Sequence, residues 1–162
     1  MKHQKLFLLL IALFTTFIGC RLESEVEHPT KTPDSELSLL ITKMVDSLYA
    51  DYERFDYDWI EFFDSSYTAI YPDSPIQHMT KDSLKEQWKR IYARYEVKLL
   101  SRGKPTIIPS EDMAISLNTF HEIFINKETA DTISNAGTYI VSWKRQPDDS
   151  WKIVFETVQN HE

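Results

Sequence analysis

The chain has 162 residues, a single cysteine and a formal net charge of −7. That acidic balance disfavours nucleic acid, whose phosphates call for a basic face. One cysteine excludes a disulfide framework and a Cys₄ zinc site. The length suits one domain with its own core.

Lys2 and Lys5 make a basic start, and residues 6–18, LFLLLIALFTTFI, form an apolar run. Thirteen residues fall short of the ~20 that a spanning helix needs, so the run reads as the apolar region of a secretory signal peptide. It ends in FIGC, with a small residue before Cys20. This resembles the lipobox of bacterial lipoproteins, with Phe17 in place of the usual leucine. The resemblance implies cleavage of residues 1–19, lipidation of Cys20 and a bacterial cell-envelope location on the periplasmic or outer side. The membrane is then a partner through the lipid. Residues 20–34 hold the lipidated cysteine and a polar, proline-containing tether, with a reach of roughly 45 Å at about 3.3 Å per residue.

The domain occupies residues 35–162. A helix is expected from TPDSE onward, with Thr32 as N-cap, Pro33 at the first helical position, and Leu37, Leu40, Ile41, Met44, Leu48 and Tyr52 as its apolar stripe. DYDWIEFF predicts a short second helix capped by Asp56, and SSYTAIYP a strand that stops at Pro72. TKDSLKEQWKRIYARY predicts a third helix with Leu84, Trp88, Ile91, Tyr92 and Tyr95 on one side. Strands follow: GKPTIIPS, then the alternating DMAISLNTFHEIFIN, then GTYIVSWKR and SWKIVFETVQ joined through QPDD. In the long strand, alternation puts Met113, Ile115, Leu117, Thr119, His121, Ile123 and Ile125 on one face. That apolar row is expected to face inward, carrying His121 with it and leaving Phe120 and Phe124 outside. Helices followed by antiparallel strands give an α+β class, with about three helices on one sheet face.

The series from LYADYERFDYDWIEFF through TKDSLKEQW, with GTYIVSWKRQPDDSWKIV at the end, resembles the nuclear transport factor 2-like superfamily and its SnoaL-like members. Ser150 stands where that pattern has glycine. The resemblance covers about residues 35–160 and implies a curved, mostly antiparallel sheet wrapped on helices into a cone with an internal pocket. It also implies a homodimer through the sheet's outer face. Members include ketosteroid isomerases, cyclases, dehydratases and binding modules, so fold does not select the activity. The isomerase's residues do not carry over. Its base position falls at Tyr71, its helix tyrosine at Ser47, and its strand acid in TYIV, where there is no acid.

His121 is the candidate general base for a lyase or isomerase, with Glu156, Asp51 or Asp58 as orienting carboxylates. Against catalysis, an isolated histidine on an apolar face more often fills a structural role. HEIFI has Ile125 where a second metal ligand would have to stand, so no metal site is expected. Gly103 and Gly137 are the only glycines after the signal sequence. No phosphate-cradling loop, and no cofactor, is expected from them. Trp59, Tyr71, His121, Tyr139 and Trp143 are the expected lining of a pocket for a small apolar or aromatic ligand, while Trp88 and Trp151 are assigned to packing. The reading is a lipid-anchored domain that binds a small molecule or a protein partner without chemistry. The alternatives are the His121 enzyme and a homodimerisation module in contact through Phe120 and Phe124.

Overall fold

A computed structural model describes residues 34–161. The signal peptide, Cys20, the tether and the expected Thr32–Pro33 cap lie outside the described residues.

Helix α1 spans Asp34–Glu53, and Asp34 and Glu36 place negative charge at its positive N-terminal end. It buries Leu37, Ile41, Val45, Leu48, Tyr49 and Tyr52. Leu40, expected in the stripe, is 43 % exposed. Leu37 is followed by apolar residues at both three and four places, so the sequence leaves two rows open. The row through Ile41 and Val45 is the buried one because Tyr49 and Tyr52 at its end reach across to the sheet with their hydroxyls. The expected second helix is a single 3-10 turn, Asp58–Phe62, which buries Trp59 and Ile60. Asp56 accepts the Asp58 backbone N–H at 2.9 Å just ahead of it.

Strand β1 (Phe63–Ile70) runs antiparallel to β2 (Gln77–Thr80) and parallel to β7 (Trp151–Asn160). Helix α2 (Lys81–Arg94) starts at a capping box in which Thr80 and Ser83 each satisfy the other's backbone N–H. Its chain continues directly into β3 (Tyr95–Arg102), so Tyr95 lies in a strand and not on the helix. Neither β2 nor β3 was expected from the sequence; both are short segments whose edges merge into a neighbouring helix or turn.

The 14-residue β5 (Met113–Asn126) organises the rest. Its first part pairs with β4 (Thr106–Pro109), its second with β3, and its whole length with β6 (Thr132–Arg145). The sheet order is β2-β1-β7-β6-β5-β3, with β4 also on β5. Among the described residues the fold is thus α+β, with two α-helices and one 3-10 turn on a seven-stranded mixed sheet. The β6–β7 hairpin closes as expected at QPDD, where Asp149 takes the left-handed conformation and its N–H bonds to Gln146.

The face of β5 is the reverse of the expected one. Ala114, Ser116, Asn118, Phe120 and Glu122 are buried, while Met113 and Ile115 are exposed and His121 is half-exposed. Burying the polar row is affordable because every member has a partner. Ser116 accepts the Trp143 indole N–H at 2.9 Å, and Asn118 donates to the Tyr49 hydroxyl at 2.6 Å. Glu122 accepts from Tyr52 at 2.8 Å and from Asn135 at 3.0 Å. Ala114 and Ser116 are also small, which makes room for the fully buried Trp143 across the strand pair.

Candidate functional site

A cavity of about 440 Å³ opens between the helical layer and the inner face of the sheet. Helix α1 contributes Tyr49 and Tyr52, the 3-10 turn Trp59, and α2 Trp88. From the sheet come Phe120 and Phe124 on β5 and Tyr139 on β6, with Tyr71 at the end of β1. Eight of the lining residues therefore carry aromatic rings. Tyr52, Trp59 and Trp88 meet edge to face, with centroids 5.4–5.7 Å apart, an arrangement that fixes ring orientation.

Two buried carboxyls interrupt this lining, with Asp73 exposed and the amides of Gln87, Asn135 and Asn160 as its other polar groups. Glu156 on β7 is 4 % exposed and accepts hydrogen bonds from the hydroxyls of Tyr71 and Tyr139, the latter at 2.5 Å. Glu122 is 9 % exposed and is held by Tyr52 and Asn135. Burial pushes both carboxyls above the usual range, partly countered by the phenol and amide donors. The phenols move with them. Burial, then the nearby Glu156, raises Tyr71 and Tyr139 well above their ordinary value. Tyr49 is pushed up to about 12, mainly by burial. These tyrosines stay protonated and act as hydrogen-bond donors at any physiological pH.

Of the expected lining residues, Trp59, Tyr71 and Tyr139 are on the cavity wall, and His121 and Trp143 are not. Trp143 is fully buried core. His121 lies on the opposite face of β5, with Nε2 3.0 Å from Ser134 Oγ, and no carboxylate is among its hydrogen-bond partners within the described residues. This removes it as a base for anything in the cavity, because strand alternation puts the side chains of His121 and the inward Glu122 on opposite sides of the sheet. Phe120 and Phe124, expected outside, are inside. Trp88, assigned to packing, also lines the cavity, whereas Trp151 is core as expected. Among the described residues no group of His, Cys, Asp and Glu is placed to hold a metal.

Sequence reasoning missed Glu122 as a polar centre and named Glu156 only as an orienting partner for His121. One signal was present: Glu122 sits between Phe120 and Phe124 on its own face, an acid flanked by two rings that only an enclosed site would group together.

No protein-family model and no curated protein matches the chain. Its structure is similar to many solved ones. A nuclear transport factor 2-like superfamily protein from Salmonella enterica superposes with a TM-score of 0.64 at 18% identity, covering 79% of this chain and 93% of that one. A ketosteroid isomerase-like protein from Erwinia carotovora gives 0.61 at 15% identity over 78% and 98% of the two chains. A hexachlorocyclohexane dehydrochlorinase from Novosphingobium barchaimii gives 0.63 at 12% over 78% and 91%. The chain therefore has the nuclear transport factor 2-like fold, as the sequence resemblance implied. At these identities the likeness establishes architecture, and enzymes and proteins without an assigned reaction share it.

Proposed function

We propose that this protein is a lipid-anchored envelope protein whose single domain binds a small, largely apolar molecule in the cavity without transforming it. One observation carries the reading: a cavity of about 440 Å³ walled by aromatic rings, of a size suited to a small organic ligand. His121, the candidate base, is not on the cavity wall and bonds to Ser134 on the other face of β5, which suits recognition better than proton abstraction by that residue. The envelope location and the Cys20 lipid anchor rest on the apolar run at 6–18 and the FIGC junction.

The reading is tested by extracting the full chain in mild detergent and identifying retained small molecules by mass spectrometry. Wild type and His121→Ala are expected to keep the same species. Val158→Trp, which fills the cavity from β7, is expected to lose it. Equal amounts in wild type and Val158→Trp would overturn the reading.

A second feature supports a homodimer through the outer sheet face. Met113 and Ile115 on β5 are exposed there, beside Ile108 of β4, which is 54 % exposed and paired with Ile115. Leu117 on β5 pairs with Ile140 of β6 on the same face. Such an apolar stretch on a two-layer domain favours a partner surface. Ile115→Lys is expected to lower the mass measured by light scattering from dimer to monomer; an unchanged mass would exclude this face.

A further inference from the structure

Resting on the reading of the cavity as a ligand site, we propose that its ligand is an organic cation: a protonated amine or quaternary ammonium carried on an apolar, ring-sized body. The first argument is charge. Among the described residues no lysine, arginine or histidine lines the cavity, while three acids do: Glu122, Glu156 and Asp73. An anionic ligand would meet two buried carboxyls with no counter-charge, a cost that burial makes severe. Arg102 is nearby over the Tyr49 ring, 5.0 Å from its centroid, but is paired with Asp46 and does not line the cavity.

The second argument is acceptor capacity. An ionised carboxylate offers about four lone-pair sites. Glu156 uses one oxygen for Tyr71 and the other for Tyr139, and Glu122 divides its oxygens likewise between Tyr52 and Asn135. Glu122 thus retains acceptor capacity beyond its two donors, while Glu156 has the Tyr67 hydroxyl beside it as a third donor and the least to spare. The third argument is the wall itself. Trp and Tyr faces attract cations, more strongly where water is excluded, and Trp59, Trp88, Tyr52 and Tyr71 all contribute here. Asp73, exposed in the turn after β1, adds negative charge at the rim, and the acidic chain as a whole draws cations.

Proton and ligand then compete for the same carboxyls. Glu122 is faced by Tyr49 and Tyr52 of α1, Tyr92 of α2 and Asn135 of β6; Glu156 by Tyr67 and Tyr71 of the β1 segment and Tyr139 of β6. All of these side chains are neutral at physiological pH. With burial raising both carboxyls, an entering ammonium displaces a proton, so affinity rises as pH rises above the ordinary carboxylate range.

The test is calorimetry on the full chain in detergent, with micelle-only blanks, using three ligands of one skeleton and different charge: tryptamine, tryptophol and indole-3-acetate. Tryptamine is expected to bind about tenfold tighter than tryptophol, with indole-3-acetate weaker than both. The preference for tryptamine should fall below threefold in Glu122→Gln or Glu156→Gln and persist in His121→Ala. Tryptophol binding as tightly as tryptamine, with both displaced in Val158→Trp, would overturn the cation inference and leave the cavity reading standing. No binding by any of the three would overturn the inference, and retention of an endogenous molecule in the extraction experiment then decides the cavity reading separately.

Discussion

Glu156 shows how a single residue ties stability to the site. Its carboxyl is among the most buried polar groups of the domain and is held by two phenols. Removing one donor by Tyr139→Phe is expected to cost about 1.5–3 kcal/mol where the carboxyl is charged. Because burial raises the carboxyl, the cost should shrink as falling pH protonates it. Urea denaturation across a pH series measures the difference. A loss that does not vary with pH would mean that what the Tyr139 hydroxyl supplies is independent of the carboxyl's charge. Trp59 marks the opposite case. It is 5 % exposed on the cavity wall, and its indole N–H has no partner among the described residues, so part of the wall remains unsatisfied by the protein itself.

At the scale of elements, what could be read locally was read correctly, and what depended on distant partners was not. The β6–β7 hairpin, the long β5 and the restart of the chain as α2 all announce themselves through alternation, turn residues and spacing. The inward face of β5 does not. Met113, Ile115, Leu117, Ile123 and Ile125 make the odd row the more apolar one, yet the even row is inside. Its polar members are satisfied by Tyr49 and Tyr52, about seventy residues earlier in the chain, and no local pattern encodes that pairing. The site centred on Glu122 was hidden by the same inversion. Gly137 on β6 and Gly103 just after β3 give a direct check on how closely the elements are fitted. A Cβ at Gly137 would stand 2.5 Å from the Gln159 backbone oxygen on β7, whereas one at Gly103 would meet the Thr119 hydroxyl, which can rotate away. Gly137→Ala is therefore expected to destabilise by about 1–3 kcal/mol, and Gly103→Ala by clearly less, as read from thermal melts. At the head of α2, Thr80→Ala should cost about 1 kcal/mol by opening the capping box.

At the scale of the whole molecule, two opposed sets of carboxyls shape stability against pH. Exposed Asp56, Glu61, Glu86 and Asp148 are held below the ordinary range by backbone, lysine, arginine or serine partners. Groups shifted that way contribute stability above their unfolded value and lose it as pH falls through the lowered one, though exposure keeps each contribution small. Glu122 and Glu156 are shifted upward by burial. Between the ordinary carboxylate range and their raised values the folded chain holds more protons than the unfolded one, so stability falls as pH rises through that window. The two trends place the maximum just above the ordinary carboxylate range. A ligand cation reverses the upper limb, because it compensates the buried charge that rising pH uncovers. In urea denaturation over a pH series above the ordinary carboxylate range, the wild type is expected to lose stability as the buried carboxyls ionise. The Glu122→Gln, Glu156→Gln double variant should stay nearly flat, and saturating tryptamine should flatten the wild-type curve while leaving the variant's slope unchanged. A wild-type curve that rises over this interval would mean that the tyrosine donors outweigh burial and that both carboxyls are already ionised in the empty cavity.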